Sequence, residues 1–182
     1  MKHIGTQTIE TERLVLRRFQ TGDEKQMFKN YTSSEKVTEF LTWLPHKQEA
    51  DTKAYLDNIV LPEYESESTY RWAIVLKEIN QVIGCIDVVD QNDRKSRAEL
   101  GWVIGEEFWG RGIVPEAGRA VLDILFEVGY IRIQALHHHA NLKSGRVMQK
   151  LGMIHEGLHA KFNLDNQGKL VDCDIYAITK GE

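Results

Sequence analysis

The chain begins with an alternation. Residues 10–18 (ETERLVLRR) place apolar side chains at every second position among charged ones, the pattern of a half-buried strand. Thr21 and Glu24 then carry the spacing of a capping box ahead of Met27, Phe28 and Tyr31, which predicts a helix. Residues 47–61 predict another, with Tyr55, Ile59 and Val60 on its apolar side and Pro62 ending it. In the middle of the chain Arg71–Leu76, Val82–Val89 and Arg97–Ile104 are β-prone runs. They are joined by KEIN and DQNDRKS, segments too short for crossover helices, so they predict an antiparallel meander.

From residue 115 the period changes. Ala117, Val121, Leu125 and Val128 recur at helical spacing before Gly129, which predicts a helix of about 13 residues. Ile131–His137 reads as a strand, Asn141 as the N-cap of a helix carrying Val147, Met148 and Leu151, and Gly152 as its stop. A hairpin over DNQG closes the chain. Its second strand sets Val171, Cys173, Ile175 and Ala177 on one face against Asp172, Asp174 and Tyr176 on the other. The fold class is α+β: one mixed, mostly antiparallel sheet with helices on its faces. No repeat, low-complexity tract or Pro/Gly-rich linker interrupts it, so residues 1–182 are expected to form a single domain.

Composition narrows the function. With 23 basic and 27 acidic side chains the formal charge is −4, and the cations are scattered, which argues against a protein that grips nucleic acid by its phosphates. No apolar window reaches a membrane span or a signal peptide, so a cytoplasmic location is expected and no membrane partner. Cys85 and Cys173 stand far apart in apolar, β-rich surroundings and read as small hydrophobes.

The segment ELGWVIGEEFWGRGIVPEAGRA carries the most chemistry. A strand enters a loop in which Gly110 and Gly112 flank Arg111, and the loop opens a helix containing Pro115 and Glu116. Free amides at a helix start, two positions without a Cβ and a guanidinium beside them suit a phosphate; the alternative is a tight turn that needs glycine only for positive φ. The Walker signature Gly-Lys-Ser/Thr is absent. Pro115 stands where a dinucleotide fingerprint needs its third glycine, so the anion belongs to another ligand class.

These residues resemble a GNAT-superfamily acyl-CoA N-acyltransferase, within the branch of ribosomal-protein N-acetyltransferases (Rim type). The likeness is carried by TERLVLRRF at 11–19, ELGWVI at 99–104, FWGRGIVPEA at 108–117, Asn141 with Ser144, Glu156-Gly157, and Asp174 with Tyr176. It implies the GNAT fold with splayed central strands, and acetyl-CoA as donor with no metal. By position it implies that Gly110, Arg111, Gly112, Ile113 and Val114 bind the pyrophosphate. Trp102, Val103 and Ile104 would then face the pantetheine, Asn141 would contact the cofactor, and the Ser144 hydroxyl would act on the leaving thiolate. Trp109 occupies the first position of the loop pattern Gln/Arg-x-x-Gly-x-Gly/Ala, as is usual in the Rim-type branch, and Val114 occupies the last.

His137, His138 and His139 are consecutive in a strand and point to alternate faces, which argues against their sharing one metal ion and for a rim near the substrate. Acyl transfer to an amine needs a proton acceptor. Glu99 shares a face with Gly101 and Val103 on the strand entering the loop, and is the candidate; Asp172 and Asp174 on the closing hairpin are the alternative. Glu116 is accounted for by the helix dipole alone. No cysteine stands beside a histidine or helix start as an activated nucleophile. The expected reaction is direct attack by a primary amine, such as a protein N-terminal α-amine, on acetyl-CoA in a ternary complex, with a backbone N–H near Val103 stabilising the oxyanion. Competing readings are a non-catalytic CoA-binding sensor or partner module, and acetylation of a polyamine or aminoglycoside. A monomer or homodimer fits either.

Overall fold

The computed structural model describes residues 1–181, and its eight strands form one sheet in the order β1-β2-β3-β4-β5-β6-β8-β7. The strands are β1 (Ile9–Glu10), β2 (Leu14–Arg17), β3 (Arg71–Leu76), β4 (Gln81–Asn92), β5 (Arg97–Ile104), β6 (Arg132–His138), β7 (Ile154–Leu164) and β8 (Leu170–Thr179). All neighbours are antiparallel except β5 and β6. The GNAT-type fold class read from the sequence is the one observed. The alternation in 10–18 buries Leu14 and Leu16, and the meander β3-β4-β5 forms as its short connections require.

Each face of the sheet has its own core. On one face Leu14, Leu16, Trp72, Ile74 and Ile86 pack with Ile113, Ala117, Val121 and Leu125 of α5 (Ile113–Val128) and Met148 of α6 (Leu142–Lys150). On the other, Ala73, Val75 and Val82 pack with Met27, Tyr31, Leu56 and Val60 from the helical segment before β3. That segment comprises α1 (Glu24–Met27), α2 (Glu35–Thr38), α3 (Glu49–Tyr55) and α4 (Leu61–Glu63), with π-helical turns at Phe28–Thr32 and Leu56–Val60.

Several local expectations are corrected. The Thr21 capping box does not form: Asp23 takes the Gln20 amide at 2.9 Å and a bidentate Arg17, and Glu24 takes the Gly22 amide at 2.8 Å. In the next helix the buried residues are Thr52, Leu56 and Val60, while Tyr55 and Ile59 are exposed. Pro62 does not end that helix but sits in α4, where the widened π turn before it absorbs the missing N–H. The helix after the glycine loop is 16 residues long and starts at Ile113, because a proline in the first turn costs no intrahelical bond. β8 is an interior strand between β6 and β7, so Asp174 and Tyr176 are buried along with Cys173, Ile175 and Ala177.

The site is positioned by the β5–β6 junction. Only Arg97–Glu99 pair with Arg132–Gln134; beyond Glu99 the two strands part, and Leu100–Ile104 have no β6 partner. Directly across from the fork, β4 carries a bulge, with Val88 opposite Leu100 and Asp90 opposite Glu99. A bulge bends and twists its strand locally, and this one coincides with the point where β5 and β6 part.

Candidate active site

The fork opens into a cavity of about 1270 Å³ that runs from the glycine loop through the gap to the helices before β3. At the loop end Gly110 and Gly112 adopt φ +76° and +73°, left-handed values that glycine supplies without strain. A Cβ on Gly110 would meet nothing within 4 Å, and one on Gly112 only Arg13 Nη2 at 3.7 Å. The space over the loop is therefore open. Gly112 caps α5 without a side-chain hydrogen bond, so the first amides of a 16-residue helix are directed at that space.

Two side chains to which the sequence assigned no contact, Trp109 and Arg13, fix this loop. The Trp109 indole N–H donates to the Ile104 carbonyl at 3.0 Å, pinning the loop to the end of β5, and the Lys143 ammonium lies 4.0 Å above its ring. Arg13, at the start of β2, donates Nη1 to the Arg111 carbonyl at 2.9 Å and Nε to Glu116 at 2.6 Å. Thr11 also donates to Glu116, at 2.6 Å. Burial alone would lift the Glu116 carboxyl; these hydrogen bonds outweigh it and hold the group below its ordinary range. Glu116 is thus a tie between β2 and α5 and not merely a dipole partner. Only the RL pair inside TERLVLRRF hinted at this, because the contact spans more than 100 residues.

Arg111 points outward, 3.2 Å from Glu78, and does not line the cavity. Trp102, Val103 and Ile104 lie on the unpaired half of β5 and line the gap. Across the gap, the Asn141 side chain accepts the Ser144 amide at 3.3 Å as the N-cap of α6, and both residues line the cavity. Lys143, Arg146 and Lys150 of the same helix line it as well, adding positive charge that the sequence pattern did not single out.

Glu99 is the last β5 residue paired to β6, at the apex of the fork. It is half-buried, lines the cavity and accepts Gln134 Nε2 at 2.8 Å. The other carboxylates are elsewhere. Asp172 takes the Lys161 amide at 2.8 Å, and Asp174 is enclosed by His139 Nδ1 and His155 Nε2, each at 2.7 Å, with His137 Nε2 at 4.0 Å. Desolvation would raise Asp174, but the two histidine hydrogen bonds prevail and keep it below the usual aspartate value. Neither aspartate lines the cavity. The histidine run alternates as expected: His137 and His139 turn to Asp174, while His138 turns to the Phe40 ring at 5.1 Å. His137 and His138 reach the cavity wall.

The far end of the cavity is walled by Tyr31, Trp43, Tyr55, Arg71, Cys85 and Asp87. Burial, reinforced by the Asp87 charge, pushes the Cys85 thiol well above its ordinary value, so it is an inert packing group. Arg71 Nη1 donates to the Tyr55 hydroxyl at 2.6 Å and its other nitrogens face Glu63 and Asp87. Sequence reasoning took Tyr31, Tyr55 and Cys85 only as apolar positions and did not single out Trp43, Arg71 or Asp87, which lie on separate elements.

Residues 13–154 match the family described as the acetyltransferase (GNAT) domain. The Bacillus licheniformis protein named uncharacterized N-acetyltransferase p20 is 28% identical over 179 residues, covering 97% of this chain and 98% of its own. Among solved structures, a GNAT-family acetyltransferase from Bacillus anthracis superposes with a TM-score of 0.80 at 28% identity, covering 95% of this chain and 98% of that one. The microcin C7 self-immunity acetyltransferase MccE, solved with acetyl-CoA and AMP, shares the fold at TM-score 0.82 and 18% identity, covering 93% and 94%. Among the described residues no helix is long and apolar enough to cross a membrane. A profile match over most of the chain, together with a relative aligned end to end, places this chain in the GNAT acetyltransferase family, enzymes that draw their acetyl group from acetyl-CoA.

Proposed function

We propose that this acetyltransferase delivers its acetyl group to a primary amine by direct attack in a ternary complex. The observation that carries the reading is the fork at Glu99: an unpaired strand edge, a helix-start cradle at one end and a cavity continuing to the other. Acetyl-CoA supplies an activated thioester. The chain supplies the amides of Gly110–Val114 for the phosphates, and the open edge at Trp102, Val103 and Ile104 for the extended arm. A backbone N–H near Val103 faces the developing oxyanion. Asn141 orients the first turn of α6, and Ser144 in that turn protonates or hydrogen-bonds the departing thiolate. Glu99, held by Gln134 so that one carboxylate oxygen stays free, accepts the ammonium proton directly or through water.

The branch assignment to Rim-type enzymes rests on FWGRGIVPEA and the Asn141–Ser144 pair, and a protein N-terminal α-amine is the acceptor it suggests. We read residues 1–182 as one cytoplasmic domain, active as a monomer or homodimer. Release of CoA thiol, followed against N-terminal peptides, polyamines and aminoglycosides, tests the proposal. Turnover with at least one amine is expected; acetyl-CoA binding without turnover on any of them would favour the sensor reading.

A further inference from the structure

The polar wall at the far end of the cavity is more than a structural ion pair. Arg71 opens β3 and Asp87 stands opposite it on β4. The guanidinium places Nη2 3.2 Å from Asp87 Oδ2 and Nε 3.3 Å from Glu63 Oε2, so one cation is shared by two carboxylates. All of this is held in a site where Arg71 is 17% and Asp87 15% exposed. Opposite Asp87 on β5 is Gly101, and a Cβ there would come 3.5 Å from Asp87 Oδ1. Val89 Cγ1 lies closer to that position, at 2.8 Å, so Val89 and Asp87 Oδ1 share the space over Gly101, and Oδ1 has no protein donor on it among the described residues.

The groups around Asp87 are Arg71 from β3, Glu63 from α4, Tyr55 from α3, Tyr31 from the π turn after α1 and Cys85 from its own strand; β5 presents Gly101 opposite it, with Glu99 two positions away on the same face. Desolvation outweighs Arg71, and Glu63 adds to it, so the Asp87 carboxyl is pushed up to about 6. The wall thus holds surplus negative charge in a poorly hydrated place. Tyr31, Trp43 and Tyr55 add aromatic faces, which also favour a cation. The reacting nitrogen must give up its proton before it attacks a thioester, and Glu99 at the fork is the group assigned above to take it. The wall is therefore left to complement a second charge.

We propose that the acceptor carries a second, non-reacting cationic nitrogen that binds Asp87 Oδ1, making Asp87 a specificity-determining residue, with Arg71 and Tyr55 positioning it. The inference rests on the amine-acetyltransferase reading and names its substrate class. The second cation comes either from a free diamine or from a basic side chain next to a peptide N-terminus.

Calorimetric titration of the CoA-loaded protein needs no turnover. Cadaverine against pentylamine is one arm; the dipeptide amides alanyl-lysine against alanyl-norleucine is the other. Near neutral pH the dication of one pair is expected to bind about tenfold more tightly than its partner, the scale of one charge-assisted hydrogen bond; the arm that shows it identifies the source. Asp87→Asn should abolish the preference, with CoA affinity reporting that the variant is folded. In the wild type, with no mutation at all, the preference should fade as pH falls through about 6 and Asp87 takes up a proton. Equal binding within both pairs, or a preference that survives Asp87→Asn or acidification, overturns the proposal. A protein that acetylates monoamines without such a preference keeps the enzymatic reading and loses this one. One that binds dications without acetylating them does the reverse.

Discussion

Substituting Gly112 by valine separates phosphate binding from folding. Gly112 sits at φ +73°, where an L side chain costs about 1–2 kcal/mol. The new Cβ meets only Arg13 Nη2, at 3.7 Å, so no steric term adds to the backbone strain. For a chain of this size that strain lowers Tm by about 2–8 °C, which leaves a folded protein. Binding should suffer far more, because the γ-methyls enter the space toward which the Gly112, Ile113 and Val114 amides point. Losing two charge-assisted bonds at about 1.5–3 kcal/mol each weakens acetyl-CoA by about a hundredfold or more. Calorimetry with acetyl-CoA and with phosphate-free pantetheine reads the two effects apart: the first should weaken and the second hardly change. A folded Gly112→Val protein with wild-type acetyl-CoA affinity would place the phosphates elsewhere and refute the cradle.

Three further outcomes are expected. Ser144→Ala should lower kcat by up to about 10²-fold with the KM for amine unchanged, and an unchanged kcat would remove the hydroxyl from the mechanism. Glu99→Gln, which keeps an oxygen for Gln134, should depress kcat/KM most at low pH, with the deficit closing as pH approaches the amine's own pKa, about 8 for an α-amine or about 10 for a lysine-like one; a wild-type profile would exclude the base role. Asp174→Asn should lower Tm by removing the charge that His139 and His155 bond. Because Asp174 is depressed when folded, its contribution is complete above the ordinary value of 3.8 and is lost as pH falls below it, so variant and wild type should converge in acid; a gap that persists there would assign the loss to packing.

Period and punctuation made much of the fold legible. Strand alternation at 10–18, the meander, the helix ended by Gly129 and the Asn141 cap depend on local chemistry, and each is realised. Failures arose where tertiary contacts decide. Asp23 was claimed by Arg17 and not left to its own helix, and the π turn at Leu56–Val60 set a buried face that ordinary helical counting misassigns. Asp174 and Tyr176 look like the polar face of an edge strand, yet β7 lies outside β8, and a ring of histidines from β6, β7 and the turn after β6 supplies the partners a buried carboxylate requires.

The same distinction runs through the site. The glycine loop was readable because its left-handed backbone favours glycine, and glycine is visible in a sequence. Periodicity did not mark the fork, which only the family resemblance implied: the register shift across from it is an extra residue on β4, within the run Val88-Val89-Asp90, where nothing in the side chains marks a bulge. That bulge lies across from Glu99 and Leu100, where the β5–β6 ladder ends, so the irregularity, the opening of the gap and the proposed base meet at one place. Gly101, two positions beyond Glu99, leaves the space over it to Val89 and Asp87 of β4. A side chain at 101 would fill that window, meeting Val89 Cγ1 at 2.8 Å before it reached Asp87, and would alter acceptor binding while leaving the glycine loop intact.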